Sequence, residues 1–314
     1  MNMVKRILVT GADGFIGKYI VDNLKSRYQI HTYSRRNSPY TFHHQGDICD
    51  IDKLDQSFDV VIHAAGNKTD VSSMHRVNVE GTEAVVRYVQ KSNAKLIVIG
   101  SAGVYGIYRN DDNVITTRSK LCPDTAYEKS KATAQVIVEQ AGLSSNSFAI
   151  LQPTNVIGEG DQSRKLLHLF KILQKDNFYY LNRNAQVNYV YARKVAGVVR
   201  GIVDRSYFPN QSFIINDPMR IEDFIRISAD ALGLRSPSKS IPAILQPLLY
   251  LLARCSIFLP DSLSHFSMGR YYELTSERYY SAIETDNQFP NMEKTDIRSG
   301  INNLVEYYRC NKWL

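Results

Sequence analysis

Cysteine is scarce in this chain: four in 314 residues, at positions 49, 122, 255 and 310, with no CxxC pair and no metal-site Cys/His spacing. That excludes a disulfide framework and a structural zinc module, and fits the reduced thiols of a cytosolic protein. Runs of Lys and Arg are missing, as is any interleaving of aromatic with basic residues. Nucleic acid is therefore not an expected partner, although 38 basic residues stand against 31 acidic ones. Long apolar runs are absent as well. The most apolar stretch, Ile241 to Pro260, is broken by Pro242, Pro247 and Arg254. It predicts a packed helix rather than an integral membrane segment, with contact at a membrane surface as the lesser alternative. An apolar strand pattern starting at Ile7 leaves no room for a signal peptide, so a cytoplasmic location is expected. There is no internal repeat and no low-complexity segment.

What is present is an ordinary globular composition, 44% hydrophobic and 22% charged, long enough for one large α/β domain or two unequal lobes. A net charge of +7 suits an anionic small ligand, or is merely a basic surface. The most informative segment lies near the start. Ile7, Leu8 and Val9 read as a buried strand, followed by Gly11, Gly14 and Gly17, then by Ile16, Ile20, Val21 and Leu24 on one face of a helix. A strand, a glycine turn and a helix N-terminus form an anion site, because unpaired backbone N–H groups and the helix dipole point at the turn. Gly11 permits the turn, Gly14 lets a diphosphate approach the backbone, and Gly17 allows close helix–strand packing. Asp13, Phe15 and Ile16 complete the candidate dinucleotide turn.

Strand and helix signals then alternate: strands at 29–33, 58–63, 95–100 and 147–151, helices at 78–89 and 126–140. That order predicts an α/β fold with a doubly wound parallel (Rossmann) sheet and ligands at the strand C-termini. Past residue 158 the pattern becomes helical and less regular, with a short strand at 213–216 and a helix at 221–232, as for a second lobe.

The second strand ends in Ser34-Arg35-Arg36, where an NAD site usually carries Asp or Glu. Two guanidiniums and no carboxylate favour the 2′-phosphate of NADP(H), with NAD still possible; the alternative is a solvated loop with two surface arginines. Asp47, with Ile48 beside it, is placed to accept from an adenine amino group or to cap a turn. Small residues Ala64, Ala65 and Gly66 follow the fourth strand and let a flat ligand lie close. His63 reads as packing, and Asn78 as support for a strand end or a helix cap.

The next strand delivers Ser101 at its tip, and Tyr127 and Lys131 sit at i and i+4 on one helix face. A free tyrosine, with a pKa of about 10, is a poor base at neutral pH. A nearby ammonium favours the phenolate, so Tyr127 is expected to exchange a proton with a substrate oxygen that Ser101 hydrogen-bonds. Lys131 can also hold the nicotinamide ribose. Taken alone, Tyr127 and Lys131 read first as a surface helix pair; the glycine turn and Ser101 give the pair its meaning.

With these residues together, the chain resembles the extended short-chain dehydrogenase/reductase family, the NAD-dependent epimerase/dehydratase group acting on nucleotide sugars. The matching pieces are residues 10–17, Gly46-Asp47, 63–66, Asn78, 101–106, Tyr127 with Lys131, 153–158, 187–191, Phe289-Pro290 and Gly300-Ile301. The resemblance implies a dinucleotide-binding domain over 1–160 plus 186–216 and a substrate lobe over 161–185 plus 217–314. It implies Ser101, Tyr127 and Lys131 as the catalytic set, Pro153 at the cofactor, Asn155 at the substrate, and hydride transfer at a sugar C4. The strand at 187–191 is expected to return to the nucleotide lobe. Arg164, Lys165, Arg220 and Arg270 are candidates for the substrate diphosphate or, equally, surface charges.

The family's 4,6-dehydratases carry Asp-Glu where this chain has Ala102-Gly103, which argues against water elimination. Gln152 replaces a frequent Arg, and Arg193-Lys194 stand where acidic residues are common. The expectation is an NADP(H)-dependent reductase of a nucleotide-diphosphate-linked 4-keto sugar, functioning as a homodimer. A 4-epimerase holding NAD, a sterol- or flavonoid-type dehydrogenase, and a non-catalytic dinucleotide-binding sensor are the alternatives.

Overall fold

The computed structural model describes residues 4–108, 111–161, 163–205, 208–255, 268–290 and 296–314. The strands are β1 (Arg6–Thr10), β2 (Gln29–Ser34), β3 (His43–Gln45), β4 (Val60–His63), β5 (Lys95–Ile99), β6 (Val114–Ile115), β7 (Phe148–Pro153), β8 (Asn155–Ile157), β9 (Gln186–Tyr191), β10 (Gln211–Ile215), β11 (Asp217–Arg220) and β12 (Tyr279–Tyr280). The α-helices are α1 (Phe15–Leu24), α2 (Val71–His75), α3 (Gly81–Ser92), α4 (Ala126–Gln140), α5 (Lys165–Gln174), α6 (Ala192–Arg205), α7 (Ile221–Leu232), α8 (Gln246–Cys255), α9 (Met268–Thr275), α10 (Ile283–Gln288) and α11 (Ile297–Cys310).

Seven strands form one parallel sheet in the order β10-β7-β5-β4-β1-β2-β3. The central strands are unbroken apolar runs because both faces are covered. On one face Ile7, Val9, Ile62 and Ile99 pack with Ile20 and Leu24 of α1 and with Val195, Val199 and Ile202 of α6. On the other, Leu8, Val61, Leu96 and Val98 pack with Val85, Tyr88 and Val89 of α3 and Val138 of α4. The doubly wound expectation therefore holds, and a short strand, β3, stands ahead of Asp47. A second apolar core joins α5, α7 and α11 through Phe170, Phe224, Ile301 and Leu304.

Two expectations require correction. The strand at 187–191, β9, lies in a separate three-stranded sheet between β11 and β8. Val190 of β9 does return to the nucleotide lobe by packing in its core, but it is α6, beside α1, and β10, paired with β7, that extend its layers. The Ile241–Pro260 stretch does contain a helix, α8, but it is not packed. Of its residues only Ala253 is buried, and residues 256–260 lie outside those described. Among the described residues no helix is long and apolar enough to cross a membrane.

Candidate active site

The β1–α1 turn is built from backbone contacts that only glycine permits. Gly11 has φ +68°, and a Cβ there would lie 2.6 Å from the Ala65 backbone. At Gly17 it would lie 2.1 Å from the Gly11 carbonyl oxygen. Gly14 differs: its Cβ would meet only that same oxygen, at 3.1 Å. Gly14 is also the N-cap of α1, no side chain bonds to the helix end, and no acid stands in its first turn. The open side of Gly14 and the uncapped N–H groups of α1 fit an incoming diphosphate.

Around this turn the strand ends converge. Ser34 Oγ donates to Asp13 at 3.2 Å, and Ser38 Oγ does so at 2.7 Å, so the glycine turn and the end of β2 share one carboxylate. Arg35 and Arg36 are both exposed, and among the described residues no ion pair holds either guanidinium. Asp47 caps the 3-10 turn after it, accepting from Cys49 N–H at 3.0 Å and from Arg76 at 2.9 Å. Burial pushes its carboxyl up, but the Cys49 N–H and the Arg76 guanidinium outweigh this and leave it below the usual carboxylate range. Of the two sequence readings, the structure shows the turn-capping one. Ile48 points into the core beneath Gly81, so only its backbone faces outward.

His63 is buried between Thr10 Oγ1 at 2.8 Å and Thr82 Oγ1 at 3.2 Å. Burial lowers its pKa to about 3, so it stays neutral, as a packing residue does. Asn78 is buried, with its amide fully engaged. Its Oδ1 accepts from Asn67 N–H at 2.7 Å, while Nδ2 donates to Asn67 O at 2.8 Å and to Ser130 Oγ at 2.9 Å. It braces the loop after β4 against α4. It stands in a single π-helical turn, 76–80, ahead of α3, which is why the helix predicted at 78 begins at 81.

Ser101 lies two residues past the end of β5, capping a 3-10 turn, and accepts from Gly103 N–H at 3.2 Å. Tyr127 enters from the first turn of α4, which the Thr125–Glu128 capping box starts where the sequence predicted. The Ser101 hydroxyl is near enough to the Tyr127 phenol to lower its pKa. That pKa departs from expectation: burial raises it to about 12, and Ser101 lowers it only in part. The neighbouring ammonium does not reverse this, because Lys131 Nζ donates instead to the Ile99 carbonyl at 2.9 Å. Burial in turn lowers Lys131 to about 8. Gly66 lies beside both groups: a Cβ there would be 3.2 Å from Lys131 Nζ and 3.4 Å from Asn78 Oδ1.

Lys68 was not singled out from the sequence. It reaches from the loop after β4 to place its Nζ 5.5 Å from the centre of the Tyr127 ring. Its only sequence signal is nearness to the small-residue run 64–66. Glu159 was also missed. It accepts from the Tyr19 hydroxyl at 2.7 Å and the Tyr191 hydroxyl at 3.0 Å, tying α1 to β9.

Two second-lobe candidates are committed elsewhere. The Arg164 guanidinium lies 4.1 Å over the Trp313 ring, and Arg220 pairs with Asp223 at 3.2 Å. Neither is brought to Tyr127 as a bare cation. Arg270 is near enough to Tyr189 to oppose the burial that raises that phenol. Lys165 is exposed at the start of α5 and close enough to Lys68 to help lower its pKa, after the larger effect of burial. Asn155 is exposed on β8 and donates to Asn188 O at 3.1 Å, while Pro153 is buried at the end of β7. Gln152 is buried between Tyr105 and Gln135, and Lys194 pairs with Asp217 and Asp286. Both departures from the family pattern are thus structural ties.

The sequence profile of the NAD dependent epimerase/dehydratase family matches residues 7–212. Among solved structures, the chain is similar to UDP-glucuronic acid 4-epimerase from Bacillus cereus in complex with NAD. Identity is 16%, the TM-score 0.71, and 97% of this chain and 99% of that one are covered. RMD from Pseudomonas aeruginosa complexed with NADPH gives a TM-score of 0.67 at 16% identity, covering 98% and 99%. At such identities the likeness is one of fold. Among curated proteins, 3 beta-hydroxysteroid dehydrogenase/Delta 5-->4-isomerase of Mycobacterium tuberculosis is 26% identical over 274 residues, covering 76% of this chain and 73% of that protein. The family match spans well over half the chain, from the glycine turn through Tyr127 and Lys131 to β10: this protein belongs to the NAD dependent epimerase/dehydratase family and is an NAD(P)-dependent enzyme of the extended short-chain dehydrogenase type.

Proposed function

We propose that the chain is an NADP(H)-dependent reductase of a 4-keto sugar linked to a nucleoside diphosphate, with Tyr127 as proton donor. One arrangement carries the reading: the Tyr127 phenol, kept protonated by burial, stands near the Ser101 hydroxyl, with Lys131 held to the Ile99 carbonyl at the end of β5. In that state the phenol already carries the proton that reduction of a carbonyl needs, whereas oxidation of a hydroxyl needs the phenolate. The bound nicotinamide supplies a hydride to the sugar carbon. Tyr127 gives its proton to the oxygen, Ser101 orients that oxygen, and Lys131 carries the positive charge behind them. Water elimination finds no room here. A Cβ at Gly103 would already lie 3.1 Å from Glu128 Cγ, and Ala102 is fully buried, so a carboxylate at either place would be crowded or stranded.

Assays with a panel of 4-keto nucleotide sugars and NADPH test this, and failure of every member to oxidise NADPH would overturn it. Exchanging Arg35 and Arg36 together for Ala is expected to weaken NADPH binding about 10- to 100-fold and NADH binding about threefold or less. Each charge-assisted bond to a phosphate contributes about 1.5–3 kcal/mol. Asp13→Asn is expected to act oppositely, raising affinity for NADP(H) relative to NAD(H), because it removes the carboxylate nearest Ser34. Fluorescence titration with both cofactors reads both effects. Unchanged affinity for both cofactors in the arginine variant would point to a merely solvated loop, and an equal loss of both would remove the 2′-phosphate as the arginines' partner.

Lys131 gives a pH dependence. With its folded pKa lowered to about 8, the free protein loses this ammonium as pH rises through 8. If binding requires the charged form, it takes up a proton above that point, so dinucleotide affinity falls up to tenfold per pH unit there and is flat below. A flat profile to pH 9.5 in wild type would remove Lys131 from the cofactor site.

A second reading, a dehydrogenase of a sterol-like alcohol, is favoured by the Mycobacterium tuberculosis relative and by the bare apolar face of α8. NAD reduction with a 3-hydroxysteroid, and none of the sugar-dependent NADPH oxidation, would select it.

A further inference from the structure

The largest group of exposed apolar side chains lies on α8 and the 3-10 turn ahead of it. Ile244 is 85% exposed, Leu248 55%, Leu251 54% and Leu252 49%. The spacing 244, 248, 251, 252 puts them on one helical stripe. Leu245, 44% exposed, continues the surface into a groove of about 340 Å³ lined by Tyr179, Ser240, Ile241, Pro242, Leu245, Leu248 and Leu249. Single exposed leucines need no explanation, but a contiguous group of this kind marks an interaction surface.

The charge around the stripe decides what covers it. From Gly233 to Cys255 there is no Asp or Glu, while Arg235, Lys239 and Arg254 are present. Arg235 and Arg254 are exposed, and Lys239 is paired with Asp176. Two copies meeting on this face would bring like charges together around an apolar centre, which opposes association. A phosphoprotein or lipid phosphate would complement them, and a lipid surface also receives a row of exposed aliphatic side chains without a shaped pocket.

We infer that α8 and the turn before it dock this protein on an anionic lipid bilayer, with Ile244, Leu248, Leu251 and Leu252 entering the interface and Arg235 and Arg254 at the phosphates. The contact is peripheral, in keeping with a helix of 10 residues. It also lies near the chemistry. Tyr250 of α8 meets Tyr271 of α9 with ring centres 5.6 Å apart, and the adjacent Tyr272 stacks on Tyr108 at 5.3 Å, on the segment that follows Ser101. Docking therefore holds the second lobe's side of the site close to the bilayer, whichever substrate the enzyme takes.

Sedimentation of the full chain with sucrose-loaded vesicles tests this. Wild type is expected to partition at least tenfold more strongly onto vesicles of phosphatidylglycerol and phosphatidylcholine than onto phosphatidylcholine alone. The variant Ile244→Ser, Leu248→Ser, Leu251→Ser is expected to lose at least tenfold of that binding, and Arg235→Glu with Arg254→Glu to lose the preference for anionic lipid. Thermal melting and dinucleotide titration of the variants show that the fold and the cofactor site persist, since all these side chains are exposed and outside that site. Three outcomes overturn the inference: no vesicle binding by wild type, binding unchanged in the serine variant, or a dimer in solution that the serine variant dissociates.

Discussion

Tyr127→Phe is expected to lower turnover about 10²- to 10⁴-fold while changing dinucleotide affinity by about twofold or less. The ring stays in place, since it is packed in the first turn of α4 beneath Lys68, and only the hydroxyl that meets Ser101 is lost. No neighbouring acid can substitute. Glu128, one residue on, is tied by its Oε2 to the N–H groups of Asp124 and Thr125 at 2.9 Å each. His63 is fixed between two threonines and held neutral. The raised pKa adds a sign. In the reducing direction the hydroxyl keeps its proton through neutral and mildly alkaline pH, so this residue imposes no fall in rate below pH 9. In the oxidising direction the phenolate is the active form, and kcat/KM is expected to rise about tenfold per pH unit over the same range. Stopped-flow turnover of wild type and variant in both directions checks this. Undiminished activity of Tyr127→Phe would remove the residue from the chemistry and the proposed mechanism with it.

The second large effect separates two glycines in one turn. Gly17→Ala is expected to destabilise the protein by about 3 kcal/mol or more, because its Cβ would lie 2.1 Å from a backbone oxygen that has nowhere to move. Gly14→Ala is expected to fold with a melting temperature close to wild type, since it meets only the Gly11 oxygen at 3.1 Å. It places a methyl on the side where a diphosphate approaches, so dinucleotide affinity is expected to fall at least tenfold. Calorimetry and fluorescence titration on both variants report the two quantities separately. A Gly14→Ala protein that melts normally and binds normally would show that the diphosphate does not lie over this turn.

These contrasts show which parts of the site the sequence could reveal. Strand β1, the glycine spacing and the helix after it are encoded within 20 residues, and apolar periodicity with glycine placement was enough to locate them. The bounds of α4 were legible for the same reason, since Thr125 and Glu128 form a local cap and nothing distant competes. The start of α3 was less so: a π-helical turn there serves Asn78, whose bonds reach Asn67 and Ser130, 52 residues away. The packing expected for α8 failed because an apolar sequence states that a surface avoids water, not which surface covers it.

The sequence by itself determined the order of strands and helices and the glycine turn, and it supplied Ser101, Tyr127 and Lys131 as the proposed catalytic set, because turn, strand end and helix spacing are written along the chain. Only the tertiary structure decided the state of that set. Burial holds Tyr127 protonated and weakens the Lys131 ammonium, Lys131 turns to Ile99, and Lys68 arrives from another loop. The structure also withdrew Arg164 and Arg220 into contacts of their own. Desolvation and pairing depend on what distant segments bring to within a few ångströms, and no spacing along the chain records that.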